Sequence, residues 1–406
     1  MTATPGLYIH VPFCARVCPY CDFAVQTGGP KMRSSYVDSL VREIGAWGSR
    51  VRGDADENVG PAGEADQSEA SWTCASPFDS VYIGGGTPSS LALGALETIF
   101  AALFEALPIA ADCTVTLETN PEDVTGASLA AWRDLGITRL SLGVQSFDDD
   151  VLGLLGRTHT SVEATAAVDA ALDAAFDAVS LDLIYSVPGQ SAAGWQATLE
   201  QAVSLQPHHI SCYELTVHEA TGFFEARRRG ELVEVTDGTK ADLFFATHRF
   251  LNAAGYPAYE VSNFARRPAY RSRHNRKYWD HSPYLGLGPS SHSFDGASTR
   301  WWNQRRLDGW AAALEEGLLP IADTESLSRE QLALEELALK LRTTAGLDLA
   351  GVERRFGVEL GGPNGAVVER LKKTGLLESD AERLVPTLKG LAFADTLAAS
   401  FEIVTR

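Results

Sequence analysis

The stretch that decides the fold lies near the start of the chain, at residues 10–22. It reads His10-Val11-Pro12-Phe13-Cys14-Ala15-Arg16-Val17-Cys18-Pro19-Tyr20-Cys21-Asp22. Three cysteines stand at the spacing C-x3-C-x2-C, and Phe23 fills the next place where a fourth would be expected. Three thiolates can hold three irons of a 4Fe–4S cluster and leave the fourth iron open, whereas a pure electron carrier usually supplies four. The stretch therefore predicts a cluster with one iron free to bind a ligand.

Two other interpretations of the cysteines are weaker. A structural zinc site would combine them with His10, but zinc motifs usually pair C-x2-C with a second such pair, and the chain has none. A disulfide framework would need an even, clustered set, whereas Cys74, Cys113 and Cys212 are scattered. A chain this long also does not depend on crosslinks for its stability. The cluster interpretation is favoured.

Composition indicates an ordinary globular protein. The 406 residues are 45% hydrophobic and 21% charged, and this length suggests two or three domains. Residues 1–7 lack the features of a signal peptide, and no stretch approaches the ~20 apolar residues of a membrane span. We therefore expect a cytoplasmic protein, with peripheral membrane association left open. The net charge of −19 argues against nucleic acid as a partner, because phosphate binding requires clustered cations.

Six strand–helix units are predicted over residues 1–215. Their alternation implies parallel strands joined by right-handed crossovers. The expected fold is α/β, a partial (β/α)6 barrel of the TIM type, with a doubly wound open sheet as the alternative; both bind ligands at the carboxyl ends of their strands. Residues 52–76 are predicted to form a mobile acidic insertion. The strands are predicted at 7–11, 80–83, 113–118, 139–145, 179–185 and 209–215.

Two further regions are predicted beyond the barrel. Residues 216–326 are predicted to form an α+β extension, in which the segments 259–264 and 284–289 are expected to form strand and tight loop. Residues 327–406 combine helices with a hairpin at 375–389, an order that predicts a small winged-helix-like domain. Because this domain is acidic, we interpret it as an accessory or partner-binding unit rather than a DNA-binding one.

The cysteine loop, a glycine triplet at residues 84–86 and the six units together resemble the radical SAM superfamily. That resemblance implies that S-adenosylmethionine (SAM) binds the open iron, where an electron from the cluster cleaves it to a radical. An electron donor is then a required partner. The resemblance assigns SAM contacts to nine residues: Tyr8, Tyr20, Gly85, Gly86, Thr87, Glu118, Gln145, Arg157 and Asp182.

The chemistry of these residues suits the assignment to different degrees. Both tyrosines could equally be core aromatic residues. Glycine lets the backbone approach a ligand closely, and arginine is a bidentate donor for a carboxylate. Asp182 is the least ordinary of the set, since a carboxylate inside an apolar strand is costly to bury without a partner.

The spacing of Glu118, Gln145, Arg157 and Asp182 narrows the resemblance to the coproporphyrinogen-dehydrogenase-like branch. That branch contains the oxygen-independent oxidase HemN and the HemW-type heme chaperones. Four features favour the chaperones: Phe23 in place of an oxidase cysteine, only thirteen residues before Cys14, the compact C-terminal domain and an H-N-x-x-Y-W motif at residues 274–279.

The same resemblance offers candidates for heme binding. His274 of the H-N-x-x-Y-W motif is proposed as the axial ligand, with Tyr278 and Trp279 stacking on the ring and nearby arginines meeting its propionates. A polar loop histidine is the alternative. His292 is a second candidate, in a segment where the family usually has Gly-Ala and this chain has Ser290-Ser291.

Three hypotheses follow. The first is a heme chaperone that binds a 4Fe–4S cluster, SAM and heme, delivers heme to haem proteins that include membrane-associated ones, and lacks oxidase activity. The second is an oxygen-independent coproporphyrinogen III oxidase, which decarboxylates propionates in porphyrin biosynthesis. The third is a cluster-dependent redox or structural protein that never cleaves SAM. A homodimer is one arrangement that the sequence leaves open.

Overall fold

The computed structural model describes residues 4–52, 72, 76–379 and 382–405. Its main feature is one mixed sheet of eleven strands. They are β1 (Gly6–Val11), β2 (Phe78–Gly85), β3 (Ile109–Thr119), β4 (Arg139–Gln145), β5 (Ala178–Tyr185), β6 (His209–Glu214), β7 (Asn263–Ala265), β8 (Tyr284–Leu287), β9 (His292–Phe294), β10 (Thr299–Asn303) and β11 (Ile321–Ser326).

Helices connect these strands. They are α1 (Pro30–Arg52), α2 (Leu93–Ala106), α3 (Gly126–Asp134), α4 (Asp149–Leu154), α5 (Ser161–Asp173), α6 (Ala192–Ser204), α7 (Gly222–Arg228), α8 (Asp237–Ala253), α9 (Arg273–Trp279) and α10 (Leu307–Glu315).

The predicted parallel core is confirmed. Strands β1 to β6 pair in chain order and in parallel, as successive strand–helix units require. The parallel strands are rich in buried apolar side chains such as Leu7, Ile9 and Leu181. This is typical of a parallel sheet, because both of its faces are covered and neither contacts water. The six strands form the partial barrel, and their carboxyl ends meet along one edge.

The sheet continues beyond the predicted units on both sides. Strand β8 joins β1 in parallel, and β9, β10 and β11 follow it as antiparallel strands. On the far side, β7 pairs antiparallel with β6. The first strand therefore lies inside the sheet, between β2 and a strand from residue 284 onward.

The strand predicted at residues 259–264 is wrong in extent, since only Asn263–Ala265 forms one. The Glu260 carboxylate accepts a hydrogen bond from the backbone N–H of Ser262 at 3.1 Å. Such local side-chain bonds compete with the hydrogen bonds of a ladder, so the strand begins only after them.

The C-terminal region has a hydrophobic core of its own, which includes Leu337, Val352, Leu371 and Leu384. The predicted hairpin is present, because the strands Leu377–Ser379 and Arg383–Pro386 pair antiparallel. The elements are α11 (Arg329–Lys340), β12 (Leu347–Asp348), α12 (Leu349–Phe356), β13 (Val358–Glu359), α13 (Gly365–Lys373), β14 (Leu377–Ser379), β15 (Arg383–Pro386), α14 (Leu388–Ala392), α15 (Ala394–Ala398) and β16 (Val404–Thr405).

The domain boundaries at 215 and 326 stay predictions. The insertion predicted over residues 52–76 lies almost wholly outside the described residues. Trp72 is an exception, since it is buried and stacks on Phe78 with ring centroids 5.4 Å apart. Within the described part of the chain, no helix has the length and apolar character needed to cross a membrane.

Candidate cofactor site

The loop that carries the three cysteines is fixed at both ends by backbone hydrogen bonds. Gln26 donates to the carbonyl of Pro12 at 2.7 Å, and Cys14 donates to the carbonyl of Gln26 at 3.0 Å. In its middle, Phe223 donates to the carbonyl of Pro19 at 2.8 Å. These hydrogen bonds hold the loop against the carboxyl edge of the barrel.

A cavity of about 430 Å³ opens at this edge, and all three loop cysteines line it. Eight of the nine predicted SAM residues line it as well. They are Tyr20, Gly85, Gly86, Thr87, Glu118, Gln145, Arg157 and Asp182. We call this space the cysteine cavity.

The thiols fit a metal cluster chemically. Burial raises the pKa of Cys14, and it raises the pKa of Cys21 to about 11. These thiols therefore stay protonated at neutral pH unless a cation replaces the protons, and metal binding does so. Gly86 adds a steric fit, because a Cβ there would lie 2.5 Å from the Phe13 carbonyl oxygen and 3.0 Å from the Cys14 Sγ.

Glu118 is a partly buried acid of the cavity. Its carboxylate accepts hydrogen bonds from the Tyr82 hydroxyl at 2.7 Å and from the Gly85 backbone N–H at 3.0 Å. Burial raises the pKa of Glu118 to about 7, and the nearby Asp182 carboxylate adds to the shift. Glu118 can therefore exist in either charge state near neutral pH, and a cationic ligand would favour the ionised form.

Arg157 reaches the cavity from the segment between α4 and α5. It donates to the Asn120 side-chain oxygen at 2.6 Å, to the Gly143 carbonyl at 3.2 Å and to the Cys18 Sγ at 3.6 Å. Its buried Nε has no partner among the described residues. A buried donor without a partner is costly, which makes this nitrogen available to an incoming carboxylate.

Gln145 and Asp182 lie at two further strands. The backbone of Gln145 is left-handed (φ 67°), which turns the chain sharply at the end of β4. Asp182 accepts a hydrogen bond from the Ser141 hydroxyl at 2.9 Å. Burial raises the pKa of Asp182, while the Arg139 cation opposes the shift. Hydrogen bonds from neighbouring hydroxyls thus offset the cost of placing the Asp182 carboxylate inside an apolar strand.

A second cavity of about 360 Å³ adjoins the first. The predicted SAM residue Tyr8 lines this cavity rather than the cysteine cavity, and its hydroxyl lies 3.1 Å from the His10 Nδ1. Four residues line both cavities: Asp22, Phe23, Gly85 and Glu118. We call this space the adjoining cavity; Glu118 is part of the wall between the two.

His274 is buried, at 2% exposure, and it lines neither of these cavities. Its Nδ1 lies 3.3 Å from the Ser80 hydroxyl and its Nε2 lies 2.9 Å from the Tyr278 hydroxyl. The ring stacks against Tyr82 at 5.2 Å. Burial lowers the pKa of His274 to about 3, and the Lys277 cation adds to the shift. As a heme ligand, His274 stays a prediction that would require both hydrogen bonds to open.

The basic residues near the H-N-x-x-Y-W motif are largely paired. Lys277 is buried and lies 2.8 Å from the Asp79 carboxylate, and Arg273 lies 3.3 Å from that of Asp112. These ion pairs attach α9 to the barrel. The charges of Lys277 and Arg273 are therefore already paired with carboxylates of the protein.

Ser290 and Ser291, which stand where the family usually has Gly-Ala, form a tight turn. Ser290 adopts a left-handed backbone (φ 63°), a conformation that glycine adopts more readily. Its N–H donates to the Gln304 carbonyl at 2.9 Å, and the Ser291 hydroxyl donates to the Gly288 carbonyl at 2.8 Å. These bonds hold the turn at a residue with a side chain.

Sequence reasoning missed several residues of the site. Tyr82 and Asn120 line the cysteine cavity and orient Glu118 and Arg157. The signal was available, because Tyr82 lies on the strand that ends in the glycine triplet and Asn120 directly follows β3. Arg305 lines the adjoining cavity but does not lie at the end of a barrel strand. The alternation of strands and helices therefore gave no reason to predict it as a site residue.

Comparison with known proteins finds similarity in both the barrel and the C-terminal region. The profile of the Radical SAM superfamily matches residues 71–202, and that of the HemN C-terminal domain matches residues 327–393. The heme chaperone HemW of Mycobacterium tuberculosis (strain H37Rv) is 35% identical over 395 residues, which are 97% of this chain and 93% of that protein. This chain belongs to the HemW family. HemW of Synechocystis sp. is 36% identical over 353 residues, 84% of this chain and 79% of that protein.

The fold agrees with that of a solved structure. The radical SAM enzyme HemN of Escherichia coli, a coproporphyrinogen III oxidase, matches 98% of this chain with a TM-score of 0.80. The match covers 90% of the oxidase at 22% identity. Since identity is low, this likeness supports the fold of the chain, while the HemW relatives support its family.

Proposed function

We propose that this protein is a heme chaperone that binds a 4Fe–4S cluster and SAM in the cysteine cavity and carries heme as its cargo. The observation that carries the proposal is the similarity to a protein named heme chaperone HemW along 97% of the chain. Because the similarity extends over both the barrel and the C-terminal region, it concerns the whole molecule rather than a shared cofactor domain.

The three cysteines would hold the cluster. Among the described residues, no three His, Cys, Asp or Glu side chains are placed to bind a single metal ion. A 4Fe–4S cluster makes a different demand, because each thiolate binds its own iron and the irons are separated. The spread of Cys14, Cys18 and Cys21 around one cavity suits that demand.

The other lining residues would bind SAM. Glu118 can pair with its ammonium group, the free Nε of Arg157 can donate to its carboxylate, and Asp182 can accept from its ribose hydroxyls. Tyr20, which lines the same cavity, would contact the adenine. When bound, the cluster supplies the electron that cleaves SAM; the chain's own residues position SAM and pair with its charges.

Phe23 argues against the oxidase hypothesis. The oxidases of this branch typically have a cysteine at this position, whereas the Phe23 side chain is 62% exposed and lines both cavities. An exposed aromatic surface there suits contact with an apolar macrocycle.

We further propose that heme passes to haem proteins, some of them at membranes, and that an electron donor reduces the cluster. Homodimerisation stays a prediction.

The test uses anaerobically reconstituted full-length protein. We expect a brown, iron-containing protein that takes up heme stoichiometrically and forms no protoporphyrinogen IX from coproporphyrinogen III. Alanine variants of Cys14, Cys18 or Cys21 should lose the cluster absorbance. Cys113→Ala is the matched control, since this free thiol on β3 lies outside both cavities and should leave the iron content unchanged.

Each result decides one part of the proposal. Formation of protoporphyrinogen IX would replace the chaperone proposal with the oxidase hypothesis. Unchanged iron in all three cysteine variants would refute the cluster assignment. Absence of heme uptake by the wild-type protein would refute the cargo.

A further inference from the structure

The nine histidines of the chain differ sharply in their access to a ligand, and all nine lie within the described residues. Only two of them, His218 and His292, are exposed. The other seven are buried or half-buried and make polar or ring contacts within the protein: His10, His159, His208, His209, His248, His274 and His281. A large ligand can therefore reach two imidazoles without first opening the interior of the protein.

The two exposed imidazoles occupy different cavities. His218 lines the cysteine cavity, and its Nδ1 lies 3.6 Å from the Asp22 carboxylate. His292 begins β9 and lines the adjoining cavity, where its ring stacks on Trp302 with centroids 5.8 Å apart. No described residue forms a hydrogen bond with either ring nitrogen of His292. The stacking orients the ring and leaves its nitrogens available to a metal.

The charge state of His292 also suits metal binding. Burial lowers its pKa, and the nearby Arg300 cation adds to the shift. The shift favours the neutral imidazole, which is the form that binds iron.

The rest of the adjoining cavity fits an iron porphyrin. Tyr8, Phe23 and Tyr278 supply aromatic walls for a flat apolar ring. Arg305 lies exposed at the same cavity and pairs with no carboxylate of the described residues, so its guanidinium is available to a propionate. Because His292 and Arg305 are both exposed, one edge of a bound ring can remain in solvent.

We infer that His292, rather than His274, is the axial ligand of heme iron, and that heme binds in the adjoining cavity with Arg305 on a propionate. The inference rests on the proposed heme cargo and adds its site. The geometry favours His292 because His274 would have to break its hydrogen bonds to Ser80 and Tyr278 and leave its stack before it could reach iron.

The site would also connect the two ligands of the protein. Glu118, Gly85 and Phe23 line both cavities, so a heme in one and SAM in the other would share a wall. Binding of one ligand can thus change the affinity for the other through these shared residues, without a long-range conformational change.

The test is titration of cluster-reconstituted full-length protein with ferric heme, followed by absorbance and by electron paramagnetic resonance of the heme iron. We expect His292→Ala to lose the histidine-ligated spectrum and to weaken heme binding about tenfold or more. Imidazole added to His292→Ala should restore the ligated spectrum. Arg305→Ala should keep the ligated spectrum and weaken binding less.

Two histidine variants serve as controls. His218→Ala removes the other exposed imidazole, which lines the neighbouring cavity, and should change neither spectrum nor affinity. His274→Ala should keep the ligated spectrum in whatever fraction remains folded, because its ring is packed inside the protein. Circular dichroism and iron content report whether each variant is folded and loaded.

The outcomes separate the inference from the proposed function. If wild-type protein binds no heme, the proposed function fails. If wild-type protein binds heme and His292→Ala keeps the ligated spectrum, His292 is not the ligand. Loss of that spectrum in a folded, cluster-loaded His274→Ala protein would return the assignment to the H-N-x-x-Y-W motif.

Discussion

At the scale of single residues, the charge of Glu118 links the cysteine cavity to pH. Burial raises its pKa to about 7, well above the ~4.3 of a free glutamate. Near neutral pH, part of the protein population therefore carries a proton here. If the SAM ammonium pairs with Glu118 as proposed, it favours the carboxylate, and SAM binding should release that proton.

We predict that SAM binding tightens as the pH rises from about 6 to about 8. Calorimetry at pH 6.5, in two buffers with different heats of ionisation, should show a fraction of a proton released per SAM. Glu118→Gln should abolish the release and weaken binding about tenfold. Glu122→Gln is the control, because hydrogen bonds from His159 and Thr158 outweigh burial and lower the pKa of Glu122 to about 2. Equal heats in both buffers for the wild type would contradict the prediction.

At the scale of elements, β2 and the cysteine loop approach each other so closely that only glycine fits between them. A Cβ on Gly86 would lie within 3.0 Å of the Cys14 Sγ. Gly86→Ala must therefore push the loop away, and we predict less iron per protein after reconstitution. Gly126→Ala is the matched control, because a Cβ at the start of α3 meets nothing within 4 Å. Iron analysis of the two variants tests this, and equal iron content would show that the loop yields without cost.

The sequence predicts the elements that depend on local pattern. Strand–helix alternation and residues at strand ends identify most of the cysteine cavity, because parallel strands bring Glu118, Gln145 and Asp182 to one edge whatever their helices do. Residues whose partners are distant in sequence could not be predicted this way. The burial of His274 depends on Ser80 and Tyr82, which lie nearly 200 residues earlier, and no local pattern records that contact.

At the scale of the whole molecule, a buried carboxyl joins the N-terminal helix to the extension. Glu43 on α1 is fully buried and accepts hydrogen bonds from the Gly288 N–H at 2.7 Å, the Asn303 amide and the Trp310 indole at 3.2 Å. Burial raises the pKa of Glu43 to about 7. Glu118 and Glu260 share the same pKa of about 7 for the same reason.

The sign of the resulting pH dependence follows from proton binding. Between about pH 4.3 and 7 the folded protein keeps protons on these carboxyls that the unfolded chain has lost. The free energy of unfolding of the apoprotein should therefore fall as the pH rises through that window. Denaturant titrations at pH 5 to 8 should show a smaller fall for Glu43→Gln than for the wild type. Glu105→Gln on the exposed face of α2 should follow the wild type; a parallel fall in all three proteins would refute the assignment.

Because β1 lies between β2 and β8, the two cavities form at different times during synthesis of the chain. The cysteine cavity is complete once the ribosome has delivered residue 218, whereas the adjoining cavity also requires residues up to Arg305. At ~5–20 residues per second, that interval lasts on the order of 10 s. During it, the nascent barrel exposes the open edge of β1 beside a finished cysteine loop. Cluster insertion can therefore precede completion of the second site, and the newborn chain needs protection along the edges of β6 and β1 until β7 and β8 have been made.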